Sequence, residues 1–355
     1  MQLLHKPDFE ETRQYWRAFW ENEIIDRPCC RVTAPKDGVV IPQAPPGLQV
    51  NIDPAEYRAL AEQFDEYASA IYWAGEAVPA FMPNFGPDLF ASFFGAELQY
   101  SESSPDTSWA VPFVDDWSAI KGLFEAPSGK WWDRINQLYS VFAEVAQDRF
   151  ILSIPDLHGN MDGLAAIRGP QKLCEDLLDS PEDIDFAMRE IRKAFPMVYE
   201  ALFKTGKMDV GTSCWLPYYS EKRFCVLQCD FIIMISPEHL RRWVVPALIE
   251  EASFLDHSVF HYDGPGALVH LDDILAIEQI HSIQWTPGDG QPPLIEWMDL
   301  LKRIQAAGKG LYIGATPEEV KVYHKELKPE GVFYSVWANT QKEADDILKW
   351  LKDNT

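Results

Sequence analysis

Ser258-Val259-Phe260-His261-Tyr262, closed by Asp263-Gly264-Pro265-Gly266, is a short run ended by a turn. Its length suits a strand, and its weak polar alternation suits one covered on both faces, as in a parallel sheet packed by helices. The layout recurs toward the C-terminus. Residues 282–286, 310–314 and 332–336 read as strands, and helical stretches follow each at 294–307, 317–327 and 341–352. Toward the N-terminus, 29–34, 77–83, 150–155 and 210–216 read as further strands, with helices at 54–71, 131–147 and 170–203. Ser236-Pro237-Glu238 opens another helix, with serine as cap and proline in the first turn. Eight strand candidates, most of them separated by helices, predict an α/β chain, specifically a (β/α)8 TIM barrel. Residues 1–27 form an N-terminal helical extension, with Phe9, Tyr15, Trp16, Phe19 and Trp20 at three- and four-residue steps. Residues 99–117 are a polar, serine-rich excursion, and 1–355 reads as a single domain.

The chain carries 31 Lys+Arg against 55 Asp+Glu, a formal net charge of −24. That balance argues against a nucleic-acid binder, which needs a basic face, and against a polybasic membrane-surface protein. Hydrophobic residues at 47% supply a large core and exclude a mainly disordered chain. No apolar run is long enough to span a bilayer, and the polar, charged start MQLLHKPDFEETRQYW does not read as a secretion signal. Six cysteines, with Cys29 and Cys30 adjacent, do not form a disulfide framework, so a reducing cytoplasm is expected.

A parallel barrel presents its chemistry at the C-terminal ends of its strands. His261 and Asp263 alternate along one strand and point to one side, where they could bind a divalent metal or act as an acid–base pair. Asp156 and His158 are a second alternating pair, with an Asx turn as the plainer alternative. Tyr218, beside Trp215 and Tyr219, follows the strand expected at 210–216. Trp285, Trp337 and Asn84 complete the set expected to contact a small-molecule substrate, although aromatics in a large protein are more often core. Cys225 and Cys229 read first as packing residues, with metal ligation as the alternative.

Cys229-Asp230 through Ser236-Pro237-Glu238 to Pro246, then His261-Tyr262-Asp263-Gly264, resembles the uroporphyrinogen decarboxylase superfamily. Asp156 to Gly169, Asp176 to Asp183, and Gly314-Ala315-Thr316-Pro317-Glu318-Glu319 extend the likeness over roughly 150–355. The resemblance implies an (α/β)8 barrel and one of two activities. One is decarboxylation without a cofactor. The other is zinc-dependent methyl transfer with a corrinoid protein or a thiol. Those methyltransferases carry His-x-Cys where this chain has His261 and Asp263, and the further cysteine near the last strand is replaced by Trp337-Ala338-Asn339. The arginine-rich signature of the decarboxylases is missing as well.

The expectation is therefore a methyltransferase holding zinc or another divalent metal through His261, Asp263 and Cys229, or Asp230 in its place. Asp156, His158, Tyr218 and Asp263 are the expected catalytic groups, a corrinoid protein is the implied partner, and the superfamily's frequent dimers point to a homodimer. The alternatives are a decarboxylase needing no metal, a glycoside hydrolase using Asp156 and Asp263, and a barrel that only binds.

Overall fold

The structure, a computed structural model, describes residues 2–101 and 103–355. Among these, eleven strands form three sheets. They are β1 (Cys29–Pro35), β2 (Ile71–Gly75), β3 (Ala80–Phe81), β4 (Leu98–Ser101), β5 (Ser104–Ala110), β6 (Ile151–Leu152), β7 (Phe224–Leu227), β8 (His257–Asp263), β9 (Ser282–Thr286), β10 (Gly310–Gly314) and β11 (Val332–Trp337). The main sheet has seven strands in the order β2-β1-β11-β10-β9-β8-β7. Every neighbouring pair in it is parallel except β1 and β2. Helices connect most of these strands, as the α/β reading expects.

The main ladder does not close on itself among the described residues. β3 and β6 form a separate parallel pair, extended by one bond from Ile154 N to Ser213 O at 2.9 Å. The strands expected at 77–83 and 150–155 shrink to two residues each because Pro79, Pro83 and Pro155 cannot donate to a ladder. The strand expected at 210–216 is not one. That segment is a 3-10 turn, Met208–Val210, followed by a single bridge between Thr212 and Ser220. Gly211 makes the turn at φ 137°, where an added Cβ would stand 2.4 Å from the Tyr219 ring. The sheet takes Phe224–Leu227 instead.

Helix boundaries shift for equally local reasons. The helix expected at 170–203 is three helices, Pro170–Asp179, Pro181–Ile191 and Ala194–Thr205. Pro181 begins the second, and the next break puts Pro196 in a first turn, where its missing N–H costs no hydrogen bond. Ser236 caps its helix by accepting from His239 N. One turn later the backbone widens into a π-turn at Leu240–Val244, just before Pro246. The polar excursion is an antiparallel hairpin of β4 and β5.

Residues paired across a parallel ladder share a face. Arg31 pairs with Ser335, Gly314 with Ser335, Gly310 with Ser282, and His261 with Gln284. Arg31, Ser335, Tyr312, Gln284, His261 and Asp263 therefore lie on one face of the sheet. Near the N-terminal ends of the strands this face is filled by rings. Tyr218 and Phe333 pack there 4.7 Å apart, against Trp16 and Phe19 from the helix Phe9–Trp20. The opposite face, with Ile283, Trp285 and Tyr262, belongs to the helical layer.

Candidate metal centre

β7 runs on into Gln228, Cys229 and Asp230, and β8 ends at His261 and Asp263. Asp230, His261 and Asp263 each offer one ligand atom, and these atoms all lie within 4.8 Å of one another. His261 Nδ1 lies 2.7 Å from Gln284 Oε1. An amide oxygen only accepts, so Nδ1 carries the hydrogen and the Nε2 lone pair is left for a ligand. The Trp215 ring meets the imidazole edge-on at 5.0 Å. Asp263 Oδ1 is buried and has no hydrogen-bond partner.

Asp162 shapes the turn that carries Asp230. Its two carboxylate oxygens accept from Asp230 N at 2.8 Å and Phe231 N at 2.9 Å, the opening amides of a 3-10 helix. Asp230 is exposed, while His261 and Asp263 are half-buried. Desolvation of its carboxyl and the charge of Asp162 nevertheless raise its pKa to about 6, against the opposing pull of His261 and His158. A site that crowds acids in this way favours a bound cation.

Beside it stands a second polar group. His158 Nε2 is 3.0 Å from Asp156 Oδ2 and touches the Gln228 amide, while His158 Nδ1 is 4.0 Å from Asp162 Oδ2. Burial alone would lower the His158 pKa. The charge and hydrogen bond of Asp156, with Asp162 and Asp230, outweigh it and lift the value to about 10. His158 is thus an imidazolium at neutral pH. Asp156 Oδ1 is buried without a partner. Behind this group, Asn160 Nδ2 donates to Gln228 O at 2.9 Å and to Glu251 Oε2 at 3.2 Å. Burial pushes Glu251 up to about 8, so it is mostly protonated at neutral pH.

The remaining expected site residues divide. Trp215 lies against His261, while Cys229 stands apart from the three-ligand cluster. Its thiol is buried, is held well above its usual range by desolvation, and lies 3.6 Å from Asp162 Oδ1. Tyr218 is in the ring layer near the N-terminal strand ends, with its hydroxyl 2.9 Å from Ser282 Oγ. Tyr219 is fully buried, bonds Val210 O at 2.6 Å and packs on Phe9. Trp285 faces the helical layer, 5.1 Å from Trp297. Asn84 braces a loop, accepting from Gly86 N at 2.8 Å and donating to Gly47 O at 3.1 Å. Trp337 is 51% exposed at the end of β11, beside a cavity of about 360 Å³.

Sequence reading named neither Gln228 nor Gln284, and it weighed Asp230 only in place of Cys229. The alternation that groups His261 with Asp263 also groups Gln284 with them once the β8–β9 register is known. A cavity of about 500 Å³ lies elsewhere, between the N-terminal segment, β2 and Leu348. Two of the cations lining it are already paired: Lys6 with Asp8 at 2.8 Å and Arg27 with Glu76 at 2.6 Å.

No protein-family signature matches the chain, and no curated protein is similar to it in sequence. Solved structures do match. A methyltransferase from Methanosarcina mazei superposes with a TM-score of 0.63, covering 96% of this chain and 98% of that one, at 12% identity. At that identity the likeness is one of fold. Among the described residues no helix is long and apolar enough to cross a membrane.

Proposed function

We propose that the chain is a metal-dependent methyltransferase on a (β/α)8-type barrel of the uroporphyrinogen decarboxylase superfamily. The observation that carries this reading is the convergence of Asp230, His261 and Asp263 within 4.8 Å, with His261 held in one tautomer by Gln284. Two carboxylates and one imidazole suit a borderline or hard divalent ion such as zinc or manganese, a harder donor set than the thiolate sites of the superfamily. The buried, unpartnered Asp263 Oδ1 fits such an ion. The solved methyltransferase of like fold supports methyl transfer as the reaction.

When bound, the ion would supply Lewis acidity to the heteroatom of a methyl donor or acceptor. The chain's own groups do the rest. Gln284 leaves Nε2 of His261 free to bind, and Trp215 packs edge-on against the ring. His158, an imidazolium beside Asp156, holds a proton next to the reacting region and can deliver it to a leaving group. A thiol, or a corrinoid protein docked at the strand ends, is the proposed acceptor.

Elemental analysis of the purified protein tests the reading. The expected result is about one divalent ion per chain, lost in His261→Ala, together with methyl transfer to a thiol acceptor. A protein that binds no zinc or manganese in titration calorimetry would defeat it. A second reading, decarboxylation without metal, draws on the same proton: His158 would protonate the carbanion left when CO2 departs. CO2 release by metal-stripped protein would select it.

A further inference from the structure

We propose that His270 is a positioning residue for the metal centre, clasping together the two turns that carry Asp230 and Asp263. The centre is assembled from separate pieces of chain. Asp230 opens the 3-10 helix Asp230–Met234 after β7. Asp263 ends β8, and Gly264 then leads into the 3-10 helix Pro265–His270. The carboxylates of Asp230 and Asp263 bring oxygens within 4.8 Å of each other, where like charges repel. Other groups must therefore hold the two turns together before a cation arrives. His270 is fully buried, and its Nε2 lies 2.9 Å from Ile232 O, a direct bond from one turn to the other. A carbonyl only accepts, so Nε2 carries the hydrogen. Nδ1 is then a lone pair, buried and without a partner. Burial of an unpartnered acceptor costs stability, so the role of the ring lies in the bond it does make.

Asp162 already holds the first two amides of the Asp230 turn, and His270 holds a carbonyl in its middle. The two turns pack closely: a Cβ added at Gly266 would stand 3.9 Å from Ile233 Cβ. The piece that ends in His270 is itself tied to the sheet. Gly264 N donates to Thr286 O on β9 at 2.9 Å, and Ala267 N donates to Gly264 O at 3.0 Å. The clasp therefore refers the position of Asp230 to the strand that carries His261 and Asp263. Ligands held at their separation beforehand bind an ion more tightly, because less ordering is left to the binding step. The inference rests on the metal reading and adds to it a residue that bonds to none of the three ligands.

The test compares His270→Gln, His270→Asn and His270→Leu by calorimetric titration with zinc and manganese. In His270→Gln an amide N–H reaches the place of Nε2, whereas His270→Asn is too short and His270→Leu has no donor. Ile232 O also accepts from Ile235 N at 3.2 Å, so losing the clasp leaves that carbonyl partnered and the variants should fold. His270→Leu and His270→Asn should bind metal about 10–100-fold more weakly than wild type. His270→Gln should stay close to wild type, a rescue that loss of packing alone would not give. The visible spectrum of the cobalt-loaded protein reads coordination geometry, and it should change in His270→Leu and His270→Asn but not in His270→Gln. Nitrogen NMR of the wild-type ring, which needs no variant, should show the proton on Nε2. Three results would overturn the proposal and leave the metal reading standing: wild-type affinity in both His270→Leu and His270→Asn, an equal loss in His270→Gln, or a proton found on Nδ1 instead. A wild-type protein that binds neither ion would defeat the metal reading itself, and the clasp with it.

Discussion

Asp156→Asn should change the proton affinity of His158 and, through it, the pH dependence of folding. In the native protein His158 lies at about 10, against 6.5 for a free imidazole. Each tenfold in proton affinity is worth about 1.4 kcal/mol, so the environment favours the charged ring by up to about 5 kcal/mol. The sign follows from linkage: the native state holds a proton that the unfolded chain releases near 6.5. The stabilisation is complete below that value, fades as pH rises, and is gone above about 10. Asp156 is the strongest raising influence, and an opposite charge at this range is worth about 1–3 pKa units. In metal-stripped Asp156→Asn, His158 should therefore titrate about 1–3 units lower, with a loss of about 1.5–4 kcal/mol at pH 7. The assays are a carbon-detected imidazole titration, assigned with a His158→Gln control, and urea unfolding from pH 6 to 10. Glu251, raised to about 8, contributes a decline of the same sign between about 4.5 and 8, so the informative quantity is the difference between variant and wild type. A wild-type His158 that titrates at or below 6.5, or an unchanged stability profile in the variant, would refute the reasoning.

Gln284→Leu should leave the fold intact and weaken metal binding about 10–100-fold in calorimetric titration, because the imidazole loses the acceptor that fixes its tautomer. Tyr218→Phe should cost about 1 kcal/mol in urea unfolding, since Ser282 Oγ is left without its partner, and should leave metal affinity unchanged.

The parts of the fold legible in the sequence were those where local pattern and tertiary role agree. Residues 258–262, 282–286, 310–314 and 332–336 are short apolar runs between helices, and the sheet uses all four. Phe224–Leu227 was hidden because it opens an apolar stretch that runs on past it, in which period alone cannot mark a strand. Residues 210–216 looked extended, but Gly211 and the chain reversal near Tyr218 pair the segment with itself. At the site, the step from His261 to Asp263 was readable from alternation. Trp285 illustrates the limit: its place at a strand end marks it in the sequence, and only the register shows that Gln284, one residue earlier, shares a face with His261. Asp230 depends on how Asp162 folds the backbone after β7, a contact across 68 residues that no local pattern carries.

The make-up of the three-ligand cluster has a consequence for chemical durability. All six cysteines are free, and none belongs to the cluster. Peroxide and alkylating agents disarm metal centres by consuming the sulfur that grips the ion. On the proposed metal reading the grip would be through oxygen and nitrogen, so exposure to air or thiol-blocking reagents should leave a bound ion in place, while acid, by protonating the carboxylates and the imidazole, should expel it.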